Sequence, residues 1–458
     1  MLLKLLRIEK ETLTELLRLS LPMIISQGAF AVLIFTDRFF MSQIAPVQMA
    51  AALGGGVASF FSISLFIGLL SYANALVAQY YGAGDKEKCP RVVVQGLIIT
   101  VLSLPLLLVI TYAVGKLFAA MGHETELVEL ESIYYNILML GCFLPLIKIC
   151  FASYFSGIGR TKVVMICDVL GVMANVPLSY ILIFGKLGLP ALGIAGAGVS
   201  TIISSAFALV LFLLFYFEKG NRLAYNVANS FALDRAILRR YLRLGIPSGV
   251  EMFINVAAFN LFLLLFQSYG IAEAAAATIV FNWDILAFIP MLGLNIGVIS
   301  LIGRFVGARN MEKTNQVIAS GFLLSLGYTG FLAIIFVSFR LPLVQMFVSP
   351  GEHYEAIIEL TSFMMLGLAT YIMADALRLV TSAVLRGAGD TRWLMISSAL
   401  LYWSMLFLQY LFIRVFDYGP RASWVLFIVM IFSICIICLL RLKGGKWRRP
   451  EVLERVTA

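Results

Sequence analysis

Twelve long apolar runs separated by short polar breaks make up almost the whole chain. They fall at about 13–41, 48–80, 91–115, 128–156, 162–185, 191–217, 241–268, 273–305, 315–338, 356–386, 393–414 and 421–440. Crossing the roughly 30 Å hydrocarbon core of a bilayer takes about 20 apolar residues at 1.5 Å rise each, so every run is long enough to cross once. Lipid offers no partner to backbone amides and carbonyls, so a continuous run of this kind closes its own hydrogen bonds as a helix. The pattern predicts an all-α integral membrane protein with twelve transmembrane helices.

The pattern also repeats. Leu17-Arg18-Leu19 with Pro22 recurs as Leu242-Arg243-Leu244 with Pro247, and Gly82-Ala83 with Lys88 recurs as Gly307-Ala308 with Lys313, both at an offset of 225. Gly157, Gly159 and Thr161 return as Gly387, Gly389 and Thr391 at an offset of 230, and half of 458 is 229. Six helices is an even number, so two such copies enter the membrane from the same side, as parallel repeats about an axis along the membrane normal. The expected division is an N-terminal six-helix lobe over 1–217, a C-terminal lobe over 241–440 and a basic tail over 441–458. Between the lobes, 218–240 is the most polar stretch, with Glu218, Lys219, Asn221, Arg222, Asp234, Arg235, Arg239 and Arg240, and reads as a linker.

Composition agrees, with 61% hydrophobic and 13% charged residues and a mean hydropathy of +0.97, values that leave no room for a sizeable soluble domain. The net charge of +9 fits either a nucleic-acid surface or the positive-inside rule, and placement decides between them. Alternate loops carry 26 Lys and Arg on one side and 5 on the other, with Arg38, Lys148 and Arg378 inside spans. Both termini are therefore expected in the cytoplasm, in a multi-pass inner-membrane protein, and a nucleic-acid partner is excluded. Lys4, Arg7, Glu9, Lys10, Glu11, Glu15 and Arg18 interrupt any signal-peptide core, and this segment reads as a short amphipathic helix on the inner face.

Enzyme chemistry finds no footing. Cys435 and Cys438 form a C-x-x-C within apolar sequence, which reads as packing, and His123 and His353 fall in outer loops without further zinc ligands. No Walker A pattern occurs, and no nucleophile, base and orienter set stands out.

Ionisable residues inside the spans carry the candidate chemistry, since an Asp or Lys at a helix centre costs about 3 kcal/mol to insert and usually faces a bundle interior. Asp37 lies in the first span, Asp168 in the fifth, Glu251 in the seventh, Asp284 in the eighth, and Asp375 with Arg378 in the tenth. Asp168 is either solvated near the inner interface or functional. Lys148 either snorkels or is paired, and Asp375 and Arg378, three apart on one face, can neutralise each other. Arg38 points about 100° away from Asp37 and is a poor partner for it. Counting depth from the helix ends brings Asn175 and Thr201 to the level of Asp37. A carboxylate, an amide oxygen and a hydroxyl there could hold a proton or a small hard cation such as Na⁺.

These residues resemble the MATE family of multidrug and toxic compound extrusion transporters, NorM-like more than DinF-like. The resemblance rests on Leu21-Pro22 with Asp37, Gly82-Ala83-Gly84-Asp85, Gly157-Ile158-Gly159-Arg160-Thr161, Asn175 with Pro177, and Arg386-Gly387-Ala388-Gly389-Asp390-Thr391, and covers essentially the whole chain. It implies two six-helix lobes around a central V-shaped cavity, rocking between inward-open and outward-open states. The implied activity is export of small cationic or amphiphilic compounds against entering Na⁺ or H⁺, by a monomer among membrane lipids, with no other cofactor. The family's N-lobe ion site maps to Asp37, Asn175 and Thr201, and Pro22 and Pro247 are the expected hinges. In the C-lobe, the helix-7 acid of NorM-type members is replaced by Asn255, with Glu251 one turn earlier. Asp375 matches their helix-10 acid, so a cation or substrate site would use Glu251, Asn255, Asp284 and Asp375. The second N-lobe acid of the DinF-like members is here Ser179. The alternative, a lipid-linked sugar flippase of the wider superfamily, would show a strongly basic cavity, whereas internal acids here outnumber Lys148, Arg378 and Arg38.

Overall fold

The computed structural model describes residues 9–120, 124–348 and 354–448, so His123 and His353 lie outside the described residues. The long helices are α1 (Lys10–Ser42), α2 (Pro46–Gly82, interrupted at Tyr72), α3 (Lys88–Ala120), α4 (Thr125–Leu140), α5 (Phe143–Gly157), α6 (Thr161–Phe184) and α7 (Ile194–Phe217). After the short α8 (Lys219–Ala224) come α9 (Arg235–Gln267), α10 (Ile271–Gly307), α11 (Met311–Ser338), the short α12 (Arg340–Gln345), α13 (Tyr354–Gly387), α14 (Thr391–Tyr410) and α15 (Pro420–Lys443). Among the described residues eleven helices are long and apolar enough to span a bilayer, and the pair α4 and α5, bent by 46°, makes a twelfth if counted as one span. Side chains such as Leu102, Leu108, Leu264 and Ile334 stand exposed along these helices, where lipid is the solvent.

The bend in the fourth span was not expected from its continuous apolar run. Pro145 has no amide hydrogen to give the Gly141 carbonyl four residues back, and the helix breaks within that turn, at Gly141 and Cys142. The amphipathic helix expected at the N-terminus is also corrected: from Lys10 onward it is continuous with the first span.

The duplication is visible in backbone hydrogen bonds. At the ends of α2 and α10, Asp85 N donates to Tyr80 O at 3.0 Å and Asn310 N to Phe305 O at 2.8 Å. At the ends of α5 and α13, Arg160 N donates to Phe155 O at 2.7 Å and Asp390 N to Leu385 O at 2.8 Å. Each closes a helix with the same six-residue turn, whose penultimate residue is left-handed: Gly84, Arg309, Gly159 and Gly389, with φ of 86°, 56°, 83° and 87°.

The chain forms two compact units, and their boundaries differ from those read from polarity. One unit is Leu21–Phe253; the other joins the residues up to Ser20 to those from Ile254 onward. The break points therefore fall inside α1 and α9 rather than in the polar 218–240 segment. That segment is packed into the first unit. Tyr154 Oη donates to Asn221 Oδ1 at 3.1 Å, Gln95 Nε2 to the Ala232 carbonyl at 3.0 Å, and Asp234 caps α9 by accepting from the Ala236 and Ile237 amides at 3.1 Å each.

Small residues explain why the first half of α9 belongs with the first repeat. A methyl on Gly249 would stand 2.4 Å from the Leu65 carbonyl, and one on Gly68 would stand 2.8 Å from Ser248 O. The α2 and α9 backbones therefore meet without intervening side chains, as in close helix packing within lipid. Tyr241 Oη donates to Leu70 O at 2.7 Å and Arg240 to Gln79 Oε1 at 3.1 Å, extending the contact. In the other unit the start of α1 is tied to the second repeat: Thr12 donates to Gln316 Oε1 at 3.1 Å, and Glu15 pairs with Arg304 at 2.9 Å. The basic tail begins as the last turn of α15, where Arg441 pairs with Asp390 at 2.8 Å, and Trp447 is fully buried.

Gly249→Val should overpack the α2–α9 contact at a cost of about 1–3 kcal/mol, lowering the apparent melting temperature in detergent. Gly327→Ala in α11, where an added methyl meets nothing within 4 Å, should leave it unchanged or raise it.

Candidate functional site

Asp37 and Ser26 occupy one face of α1, and in the Leu21–Phe253 unit that face meets α6 and α7. Asp37 is 5% exposed. Its Oδ1 accepts from Ser179 Oγ of α6 at 3.0 Å and its Oδ2 from Thr201 Oγ1 of α7 at 3.3 Å. Among the described residues no cation pairs with it. Asn175 is fully buried one turn before Ser179, but it does not bond Asp37: its Oδ1 accepts from Ser179 at 3.3 Å and its Nδ2 donates to Ser204 at 3.2 Å. Ser179 also lies 2.7 Å from Ser200 Oγ.

Each hydroxyl that serves Asp37 has a second acceptor within reach. Ser179 can turn to Asn175 Oδ1, and Thr201 to the Ala197 carbonyl at 3.0 Å. A hydroxyl carries one hydrogen, so each donor serves one acceptor at a time. When the carboxylate is neutralised, both hydroxyls can be rehoused, so neither donor is left unpaired at a cost of about 1–3 kcal/mol. The site can thus accommodate both a charged and a neutral Asp37.

Lower in the same unit, Lys148 Nζ of α5 pairs with Asp168 Oδ1 of α6 at 2.9 Å, and Ser26 of α1 donates to Asp168 Oδ2. The pair answers the question left open for both residues: Lys148 is partnered, and Asp168 is neutralised by it.

The second set divides between the units. Glu251, 3% exposed, belongs to the Leu21–Phe253 unit because it lies on the part of α9 drawn onto α2, whereas Asn255, Asp284 and Asp375 belong to the other. The four residues expected together therefore fall in both units, with Glu251 in the first. Asp375 pairs with Arg378 Nε at 2.6 Å on α13. Asp284 of α10 lies in the field of both, and Tyr371, 2% exposed, adjoins the two carboxylates. The cluster thus sets two carboxyl groups beside one guanidinium. Asn255 has a buried Oδ1 without a hydrogen bond and is not joined to the cluster. Pro22 and Pro247 both lie buried inside unbroken helices, and Pro22 is the second residue beyond the point where α1 changes unit.

The MatE family model matches residues 22–181 and again 247–411, two copies whose starts are the two prolines. The chain belongs to the MatE family. Among curated relatives, this MatE chain is 28% identical to a probable multidrug resistance protein NorM of Pasteurella multocida over 439 residues, covering 94% of this chain and 93% of the relative. It is 26% identical to the multidrug resistance protein MdtK of Edwardsiella ictaluri over 456 residues, covering 96% and 97%. In fold it is similar to a multidrug resistance MATE family transporter solved in an outward-facing conformation, with a TM-score of 0.86 at 22% identity, covering 97% of this chain and 98% of that one. A Pyrococcus furiosus transporter of the MOP superfamily gives a TM-score of 0.86 at 23% identity with the same coverage. MatE proteins are transporters rather than enzymes, and the lipid-linked sugar alternative gains no support from these likenesses.

Ser179, Ser200 and Ser204 are the members of the Asp37 network that sequence reasoning did not assign. A signal for them existed: Asn175 with Ser179 and Ser200 with Ser204 are both i,i+4 pairs in apolar helices, and such pairs put two polar groups on one face.

Because Asp375 and Arg378 are each largely enclosed, Arg378→Met should destabilise the protein by about 3 kcal/mol. The double variant Arg378→Met with Asp375→Asn should recover most of the loss, measured as melting temperature and yield of monodisperse protein.

Proposed function

We propose that this MatE transporter is a multidrug exporter of small cationic or amphiphilic compounds, driven by H⁺ or Na⁺ entering at Asp37. The observation that carries the reading is a buried carboxylate answered only by hydroxyl groups, each with an alternative acceptor. Moving such a charge out of water is costly unless it is paired, so a proton or a hard cation taken up by Asp37 relieves a standing penalty. The excess of acid over base among Asp284, Asp375 and Arg378 supports a preference for cationic over anionic cargo. The named multidrug resistance relatives support the breadth of substrate.

The mechanism is competition for a conformation. Ion binding at Asp37 releases the Ser179 and Thr201 donors from α1, favouring a state in which α1, opened at Pro22, lies differently and drug binds less tightly. By linkage, bound drug weakens ion binding by the same factor. One pH unit supplies about 1.4 kcal/mol per proton, enough for about tenfold accumulation outside. The membrane potential adds about 2.3 kcal/mol per charge per 100 mV only when more charge enters than leaves. The loop distribution of Lys and Arg supports cytoplasmic termini, so carboxy-terminal reporter fusions should be active inside the cell.

Asp37→Asn in proteoliposomes should abolish ethidium efflux driven by an imposed pH or Na⁺ gradient, while Asp37→Glu retains part of it. Efflux by Asp37→Asn equal to the unmutated protein would reject the proposal, and comparing the two gradients identifies the ion.

A further inference from the structure

Two side chains of α1 and two of α6 face each other with matched spacing. Ser26 and Asp37 are eleven residues apart on α1, and Asp168 and Ser179 are eleven apart on α6. Eleven residues is close to three helical turns, so each pair shares a face at levels about 16 Å apart. Ser26 meets Asp168 at the lower level, and Asp37 meets Ser179 at the upper. The chemical roles are exchanged between rungs: above, α1 supplies the carboxylate and α6 the hydroxyl; below, α1 supplies the hydroxyl and α6 the carboxylate. The rungs differ in one respect. The lower carboxylate is answered by Lys148 at 2.9 Å, with the Cys167 thiol beside the pair, whereas among the described residues the upper is bonded by hydroxyls without a cation, with the Tyr134 phenol beside it.

We infer that Ser26, Asp168 and Lys148 are positioning residues forming a fixed-charge lower rung, which holds α1 against α6 and so sets how much coupling ion is needed to release it. The inference rests on the reading of Asp37 as the coupling site. Ion binding weakens the upper rung only; the lower rung keeps its charge-assisted hydrogen bond and opposes the departure of α1. Lys148 Nζ pairs with Asp168 at 2.9 Å, so this opposing bond has a charged partner within the protein and does not involve the coupling ion. The threshold for release is then built from a bond that the ion never touches.

The test is ethidium efflux in proteoliposomes, titrating whichever of H⁺ or Na⁺ drives the unmutated protein. Removing the lower rung by Ser26→Ala lowers the cost of leaving the state in which α1 is held. The ion concentration for half-maximal efflux should fall about tenfold, the value of one hydrogen bond to a charged group. Ethidium affinity measured without the coupling ion should stay unchanged or weaken, a pairing that general loss of structure does not produce. The double variant Lys148→Met with Asp168→Asn, which leaves no uncompensated charge, should shift the ion titration in the same direction, and Lys148→Arg should restore the unmutated value. An ion requirement that is unchanged or raised in both Ser26→Ala and the double variant overturns the inference. Ion dependence surviving in Asp37→Asn instead overturns the reading of Asp37, so the two failures are told apart.

Discussion

The bilayer interior gives a charged side chain nothing to bind, and that shortage decides how the acids of this protein's spans are housed. Asp168 is answered by Lys148 and Asp375 by Arg378, each at hydrogen-bonding distance. Asp37 is answered, among the described residues, by the hydroxyls of Ser179 and Thr201. Hydroxyls stabilise a carboxylate without neutralising it, and they can leave it. The difference between a structural acid and one suited to exchange thus lies in whether the partner carries a charge of its own, rather than in depth alone.

The helices that carry these groups could be read directly from the order of residues, because a span of lipid-solvated helix needs an unbroken apolar run and nothing else. The hinge in the fourth span was missed for the same reason: hydrophobicity is blind to the missing amide of Pro145. Depth counting put Asn175 and Thr201 at the level of Asp37, and the level was useful, yet depth says nothing about rotation. Thr201 bonds the carboxylate, while Asn175 is turned so that it acts through Ser179. Lys148 and Asp168 sit twenty residues apart on separate helices, and only the packing of α5 on α6 reveals that they are partners.

Unit boundaries were the least legible feature. Polarity marks where the chain meets water, which is why 218–240 reads as a linker. Packing follows shape instead, and the glycines at 68, 245 and 249 let α9 approach α2 more closely than any larger residue would allow. The same glycines carry Glu251 into the unit of the first repeat. A resemblance that aligns spans one to one transfers residue positions faithfully but carries no information about such exchanges.

The exchange of helix starts has a consequence for synthesis. Residues Lys10–Ser20 are made well before the rest of their unit, which is built from Ile254 onward, and the unit of the first repeat is finished only when α9 appears. Each unit therefore draws on chain from both repeats. During biogenesis the opening turns of α1 must wait, unpartnered, for two hundred residues of later chain, as separate expression of the halves would expose.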